Sequence, residues 1–421
     1  MITWALHFTD TSHLSEAEKV RRKRENGFWT VEELMQSLST SFRHYYLCGR
    51  EIDIDEMSIH FKGRHSCKCY NPNKPHKWHF KAYCLNCSKT GYLSNFFLYR
   101  GKDEQRPAGM SATTYPVHKL TDHEDYHGKD HLLALENWYT SIPVAKLVKS
   151  EPRRMNMVGT IKANREGIPK SKLFPKNGRN KKVRGTIKCY SNVVEGVNYY
   201  FTCWQDSKPV HLLSTFPPAR TPVLRNSKDN TGRYVQIQVD RPTNIENYNR
   251  SMGGTDLFDQ FGSYYKTTFR SLHWQQRIYS HFLQSSAINA HILHRSVTRS
   301  ENTLLEFMEN LIMQWSGMNP PDVEEEVELE LDDDIAPLRK RKTLLGDYEG
   351  RRRGFHYTIE TPTSLPPTTK NGSRVDNRVR CRVCQQTTRF QCGVCMVNLC
   401  IKGAQSDNCF YKFHHCKDFH N

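Results

Sequence analysis

The sequence predicts a mixed α/β protein that ends in a metal-stapled tail. Three observations carry this. A stretch of period-two alternation at 51–59 is followed by strand-like segments at 78–84 and 92–99, which together resemble a β-meander. A short apolar strand at 131–135 leads into an apolar helix at 142–148, the strand-to-helix turn at which α/β sites form. The stretch 379–421 carries paired Cys-x2-Cys units followed by further Cys and His.

The totals bound the reading. A chain of 421 residues has room for two to four domains with a real core. It has no run of 18 apolar residues, so no membrane span is expected. Residues 1–8 lack a basic n-region and a small-residue cleavage site, so no signal peptide is expected. The chain is therefore expected inside the cell, where thiols stay reduced, and its 14 cysteines read as metal ligands or buried thiols. The 61 Lys and Arg against 44 Asp and Glu leave a net charge of +17. That excess suits a polyanion, most often nucleic acid; the plainer reading is a solvated basic surface with no dedicated ligand.

Taken in order, residues 1–28 are polar and basic and read as poorly ordered or as the remnant of a longer region. Thr30-Val-Glu-Glu33 has the spacing of a capping box, with Leu34, Leu38, Phe42 and Tyr46 behind it on one helical face, and the helix should end near Cys48-Gly49. In the strand at 51–59, Ile52 and Ile54 alternate with acids, and Asp53, Asp55 and Glu56 fall at or near its end. A basic tract follows (Lys62, Arg64, Lys68, Lys74, Lys77). Cys84 and Cys87 have Cys-x2-Cys spacing but no second pair nearby, so they read as buried thiols. Residues 102–130 read as a loop, and Glu136 stands at a strand end before a helix.

Residues 160–185 are strongly basic, and strands at 186–190, 197–204, 209–214 and 234–239 read as a β-rich insertion. Pro242-Thr-Asn reads as a break, and 269–316 as helical, with Trp274, Ile278, Phe282, Ile288 and Leu293 on an apolar face. The stretch 318–378 reads as a disordered linker: a proline pair, nine acids from Asp322 to Asp334, then Arg339-Lys-Arg-Lys342 and Arg351-Arg-Arg353. Those basic clusters suit a nuclear localisation signal or a solvated charge run equally well. The tail offers Cys381, Cys384, Cys392, Cys395, Cys400, Cys409, His414 and Cys416 as ligands for two zinc ions, and so short a segment needs metal to fold.

The stretch around which the rest is organised is Ser251-Met-Gly-Gly-Thr-Asp-Leu-Phe-Asp-Gln260. A helix should begin near Gly254, placing Asp256 and Asp259 on one face of its first turns, a pairing that suits a divalent cation. The glycines permit a close approach of backbone or phosphate. The bland reading is a helix start with acids set against the dipole.

Together these pieces resemble the piggyBac-type transposases. The resemblance rests on Ile54-Asp-Glu56 with Phe61-Lys-Gly-Arg64; Asn73-Lys-Pro-His-Lys-Trp78; Ser88-Lys-Thr-Gly-Tyr92; Glu136-Asn-Trp-Tyr-Thr-Ser141; Gly159-Thr-Ile161 with Asn164-Arg165; Trp204 with Asp206 and Lys208; Met252-Gly-Gly-Thr-Asp256 with Asp259-Gln260; and Asn289-Ala290. It implies a ribonuclease H-like domain in two parts, 49–158 and 242–268, interrupted by the basic insertion at 159–241. It further implies a remnant of an N-terminal helical dimerisation and DNA-binding domain at 1–48, a matching helical segment at 269–317, and the zinc-binding domain at 379–421.

The function implied is cut-and-paste transposition at TTAA targets in double-stranded DNA, by a nuclear homodimer with no membrane partner. Asp55, Glu136 and Asp256, with Asp259, would hold two Mg²⁺ for phosphodiester hydrolysis and strand transfer. Lys62, Arg64, Lys74, Lys77, Lys162 and Arg165 would line the DNA path, and Trp274 falls where the family has a tryptophan near the active site, with plain core packing as the alternative.

Glu136 stands where the family pattern has Asp, and only 54 residues precede Asp55, so much of the family's first helical domain is expected to be missing. Lesser departures are His79 for the usual glycine and Asn71 where methionine is common. The reading is a DNA-binding transposase-like protein degenerate in activity. Its alternatives are an active transposase and a RING-like zinc interaction module, against which only seven residues separate Cys384 from Cys392.

Overall fold

The computed structural model describes residues 7–317, apart from 102–105, 176–181, 229–231, 266–270 and 272, together with short stretches between 358 and 409. Two units are distinguished, Met1–Val323 and Glu324–Asn421. The first is built on a mixed sheet. Its strands are β1 (Glu51–His60), β2 (Cys69–Tyr70), β3 (Trp78–Cys87), β4 (Leu93–Leu98), β5 (Leu132–Leu135), β6 (Asn156–Thr160), β7 (Ile187–Val194), β8 (Val197–Gln205) and β9 (Pro209–Ser214). The order is β2-β3-β1-β5-β6-β9-β8-β7, with β4 also on β3. β1 runs antiparallel to β3 and parallel to β5, and β5 runs parallel to β6. This mixed α/β arrangement is consistent with the ribonuclease H-like domain that the resemblance implies.

The pattern within β1 explains its place. Ile52 and Ile54 are fully buried in a core with Leu133, Leu135, Val144 and Val148. Met57 and Ile59 are buried in a different core with Phe80, Phe258, Ile278 and Phe282. The apolar residues thus change parity between positions 54 and 57, and successive side chains alternate between faces. Asp53 and Asp55 therefore share a face with Met57 and Ile59. β5 is buried at all four positions, as a central parallel strand covered on both sides must be.

Helices cover both faces. They are α1 (Glu16–Glu25), α2 (Glu32–Tyr45), α3 (Thr114–Thr121), α4 (Ile142–Lys149), α5 (Thr243–Ser251), α6 (Gly254–Tyr264), α7 (Trp274–Thr298) and α8 (Leu304–Ser316). Asn289 on α7 ties that helix to the sheet: its Nδ2 donates to the Leu93 carbonyl (2.9 Å) and its Oδ1 accepts from the Leu93 N–H (3.0 Å).

Several sequence expectations are corrected. The N-terminal stretch is not structureless: Ser15 caps α1, whose Arg21 and Arg22 pair with Glu18, so side-chain pairs stand in for the missing apolar face. The capping box at Thr30 does not form. Phe28 and Val31 are buried, Trp29–Val31 is a 3₁₀ turn, and α2 starts at Glu32 with no side-chain cap. α2 ends at Tyr45, short of Cys48. The loop at 102–130 contains α3, anchored by buried Val117 and Leu120. Pro242 is not a break but the residue before α5.

The stretch read as a β-rich insertion is joined to the main sheet. Its strands β7 to β9 extend the central sheet through β9 against β6, while β10 (Arg220–Lys228) and β11 (Tyr234–Pro242) form a separate ribbon. Cys84 and Cys87 are buried, as expected.

In the second unit the described residues form short ladders: Thr358–Glu360 with Phe390–Cys392, Thr369–Lys370 with Ser373–Arg374, and Val379–Arg380 with Thr387–Thr388. The stretch read as disordered linker therefore carries paired strands towards its end; the acidic block and basic clusters lie outside the described residues. No described helix is long and apolar enough to cross a membrane.

Replacing Asn289 with Ala leaves a buried N–H and C=O of Leu93 unpaired, at roughly 1–3 kcal/mol each. The expected outcome is a lowered urea midpoint at unchanged slope; a midpoint equal to wild type would remove Asn289 as the tie between α7 and the sheet.

Candidate active site

Three segments carry acids to one end of the sheet. Ile54 is the last β1 residue to pair with β5, opposite Leu135, while β1 continues against β3 with Asp55 opposite Cys84. Glu136 is therefore the first residue beyond β5, beside the point where β1 runs on alone. Asp256 and Asp259 come from the start of α6, which packs on the β1 face that carries Asp53 and Asp55.

The turn bearing Glu136 is held firmly. The N–H groups of Tyr139 and Thr140 donate to the Glu136 carbonyl (3.1 Å each), and Thr140 Oγ1 donates to it as well (2.9 Å). Arg165 donates to the carbonyls of Asn137 (3.1 Å) and Trp138. Ser141 caps α4, with Pro143 in its first turn. Gly159 of β6 lies against this turn: a Cβ there would stand 2.1 Å from Thr140 Oγ1 and 2.7 Å from the Leu135 carbonyl.

α6 is held by a residue the sequence reading passed over as a strand-end acid. Asp53 is fully buried, and its Oδ2 accepts from the Thr255 N–H (3.0 Å) and Oγ1–H (2.9 Å). Asn86 stands within 3.2 Å of the same hydroxyl, and its Nδ2 donates to the Gly91 carbonyl (3.0 Å). Asp53 Oδ1 faces Gly254, whose backbone N–H also pulls the carboxyl down, and a Cβ there would approach to 2.2 Å. The second glycine of the pair therefore serves a close approach of backbone to β1. The first, Gly253, has φ +154°, a conformation L side chains rarely adopt. A buried acid facing a Gly-Gly-Thr helix start was the available signal, and it requires knowing that β1 and α6 meet.

The acids raise one another. Burial pushes Asp53 up to about 7 against the pull of the Thr255 donors, with the Asp256 charge adding to the rise. Burial pushes Asp55 well above the carboxylate range, with Glu56 and Glu136 adding to it. Glu136 is raised by desolvation and by Glu56 and Asp256, while Lys74 opposes. Asp259 is raised to about 6 by desolvation, with Lys74 pulling it down. Asp256, Asp259 and Glu136 are exposed as residues, so solvent screens much of the energy in these last shifts.

Tyr248 of α5 also feels Glu136, Asp55 and Asp256. All donors are carboxylate oxygens, which suits a hard divalent cation. Among the described residues no three such side chains close on one point as a ligand set.

The basic residues divide. Lys62, Arg64, Lys77 and Lys162 are exposed. Lys74 is half-buried, donates to Ser58 Oγ (2.7 Å) and faces the acids. Arg165 turns inward to the Glu136 turn. Trp274 is half-buried, edge-on to Phe28 (5.7 Å) and His65 (4.7 Å), so its contacts here are packing contacts. Of the zinc candidates, Cys381 is buried, Cys409 is half-buried and Cys392 closes a strand; Cys384, Cys395, Cys400, His414 and Cys416 lie outside the described residues.

The family model described as Transposase IS4 matches residues 1–291. The chain belongs to the piggyBac-type transposase family. It is similar to the human PiggyBac transposable element-derived protein 3, at 24% identity over 404 residues, 94% of this chain and 60% of that protein. It is also similar to the human PiggyBac transposable element-derived protein 2, at 22% identity over 299 residues, 69% of this chain and 47% of that protein. The chain thus spans less than two thirds of the length of these curated relatives. A cryo-EM structure of a piggyBac transposase synaptic complex with hairpin DNA shares the fold, with TM-score 0.60 and 22% identity over 91% of this chain and 75% of that one.

Because Asp53 binds its proton more tightly folded than unfolded, its contribution to stability falls as pH rises from about 4 through 7. Thr255→Val removes a donor to the charged form. It is expected to cost about 1.5–3 kcal/mol at pH 8 and less at pH 5, read as the difference in denaturant midpoints from wild type. An equal cost at both pH values would show that Asp53 does not titrate against Thr255.

Proposed function

We propose that this chain is a DNA-binding, transposase-like protein of the two-metal carboxylate class whose strand-cleaving activity is degenerate. The observation that carries this is the meeting of Asp55, Glu136, Asp256 and Asp259, from three distant segments, as mutually repelling acids at one sheet end. Repulsion of this kind is relieved by cations. Asp55, Glu136 and Asp256, with Asp259, would hold two Mg²⁺. Such ions activate a water or 3′-hydroxyl and stabilise the leaving oxygen.

This chain's own residues set the limits. The strands and α6 fix three of the acids, and Lys74 and Tyr248 border them. Glu136 replaces the shorter Asp of the family pattern. One methylene moves a carboxylate by about 1.5 Å, whereas a productive site tolerates about 0.5 Å. Double-stranded DNA is the partner that fits the +17 charge and the exposed Lys62, Arg64, Lys77 and Lys162, whose contacts with phosphates would weaken with salt. The same reading includes a homodimer, a nuclear location, and two zinc ions held by Cys381, Cys384, Cys392, Cys395, Cys400, Cys409, His414 and Cys416.

The test is nicking of supercoiled plasmid carrying TTAA and the gene's own flanking DNA, with Mg²⁺ or Mn²⁺. Cleavage by Glu136→Asp at least about tenfold above wild type, and none by Asp256→Ala, is expected, tenfold being about 1.4 kcal/mol of barrier. Robust wild-type cleavage abolished by Asp256→Ala would instead establish an active transposase.

A further inference from the structure

Cys87 closes β3 where α6 is seated, and a second thiol stands against it. That thiol is Cys48, in the link between α2 and β1, a neighbour that spacing along the chain does not suggest. The two side chains share a hydrogen bond. The N–H groups of Gly49 and Thr90 and the Thr90 hydroxyl also donate to the Cys87 sulfur. Tyr46 Oη lies 3.8 Å from that sulfur and 3.2 Å from Thr90 Oγ1, and its ring stacks on Tyr92 at 4.3 Å between centroids. These donors favour the charged sulfur. The hydrogen bond from Cys48, chief among them, holds Cys87 well below the usual thiol range, while Cys48 keeps its proton. Cys87 is 1% exposed and Cys48 half-buried, so solvent reaches the pair at Cys48.

The backbone beside Cys87 carries the second observation. Gly254, the first residue of α6, packs so closely here that a Cβ on it would stand 3.0 Å from the Cys87 carbonyl and 3.0 Å from Ser88 Cα. Ser88 Oγ donates to the Ser251 carbonyl just before that helix. A Cβ on Gly91 would stand 3.0 Å from Leu257 Cγ and 3.2 Å from the Phe258 nitrogen. The turn 87–91 is therefore the seat of α6, the helix that carries Asp256 and Asp259.

We propose that Cys48 and Cys87 form an oxidation site for hydrogen peroxide, whose disulfide displaces this seat and loosens α6. The Cys87 thiolate attacks one peroxide oxygen, and the O–O bond breaks to give a sulfenic acid and hydroxide. The hydroxide takes the Cys48 proton and leaves as water. The Cys48 thiolate then attacks the Cys87 sulfur; the S–S bond forms, the S–O bond breaks, and a second hydroxide leaves and is protonated by solvent. The two sulfurs lose two electrons, and peroxide becomes two waters. A hydrogen bond holds two sulfurs at non-bonded distance, whereas a disulfide brings them to about 2.05 Å. With Gly254 and Gly91 already too close to their neighbours for a Cβ, the turn has no slack to absorb that closure. The inference concerns the seat of the helix and stands whatever its acids bind.

The test exposes the reduced full chain at neutral pH to hydrogen peroxide, stops the reaction with catalase, alkylates the remaining thiols and maps peptides without reductant. The Cys48 peptide should appear joined to the peptide bearing Cys84 and Cys87, with fragmentation placing the bond on Cys87 and dithiothreitol releasing it. Amide hydrogen exchange across 254–264 should be about tenfold faster in the disulfide form and return on reduction. Cys48→Ser should show neither change, which separates this pair from cysteines of the 379–421 tail that peroxide also reaches; Cys48→Ala stands in where a melt shows Cys48→Ser unfolded. Alkylated Cys48 and Cys87 after peroxide overturn the site. A mapped disulfide with exchange in α6 unchanged or slower, or equal acceleration in Cys48→Ser, overturns its hold on the helix.

Discussion

The burial of Asp53 against the first turn of α6 is the constraint on which the site depends. A carboxylate with no exposure carries a heavy desolvation cost unless donors meet it. Thr255 provides two, from its backbone and its hydroxyl, and Gly254 provides the room. Ser88 adds a further tie by donating to the Ser251 carbonyl. Residues some two hundred positions apart are thereby held in one register, and the direction of α6 is set. Without that lock, Asp256 and Asp259 would project from an exposed helix anchored chiefly by Phe258.

The lock also explains why the site is electrostatically tense. Asp53 lies too deep to contact a ligand in solvent, yet the Asp256 charge reaches it. Lys74 answers part of the negative charge at Glu136 and Asp259. The sequence reading assigned Lys74 to the DNA path; in the structure it is half-buried beside Ser58 and turned to the acids. A chain of net charge +17 has thus gathered these carboxylates at one sheet end and keeps a lysine there as a local counter-charge.

What was legible in the sequence was what local chemistry decides. β1, β5, α4 and α6 were readable because alternation, a short apolar run and a glycine-bounded start are local signals. Asp55, Glu136, Asp256 and Asp259 came from motif resemblance, and the structure places them at one end of the sheet. α1 and α3 were missed because α1 buries no residue and α3 is a short helix whose buried residues, two threonines and a proline among them, trace no apolar stripe. β10 is mostly polar, without a regular alternation, and among the described residues it pairs with β11. The junction of the insertion with the main sheet, Gly159 opposite Leu213, is a non-local pairing with no local trace. Asp53 was visible as an acid in a strand, but its role depends on the parity change within β1, which matters only once helices are known to cover both faces.

That parity change also bears on Glu136. A longer side chain at this position changes little if the backbone behind it can retreat by the added length. Here it cannot retreat easily. Thr140 and Arg165 hold the carbonyls of the turn, Ser141 starts α4, and Gly159 of β6 leaves no space even for a Cβ beneath Thr140. The extra methylene must therefore be accommodated at the carboxylate itself, among acids fixed by β1 and α6.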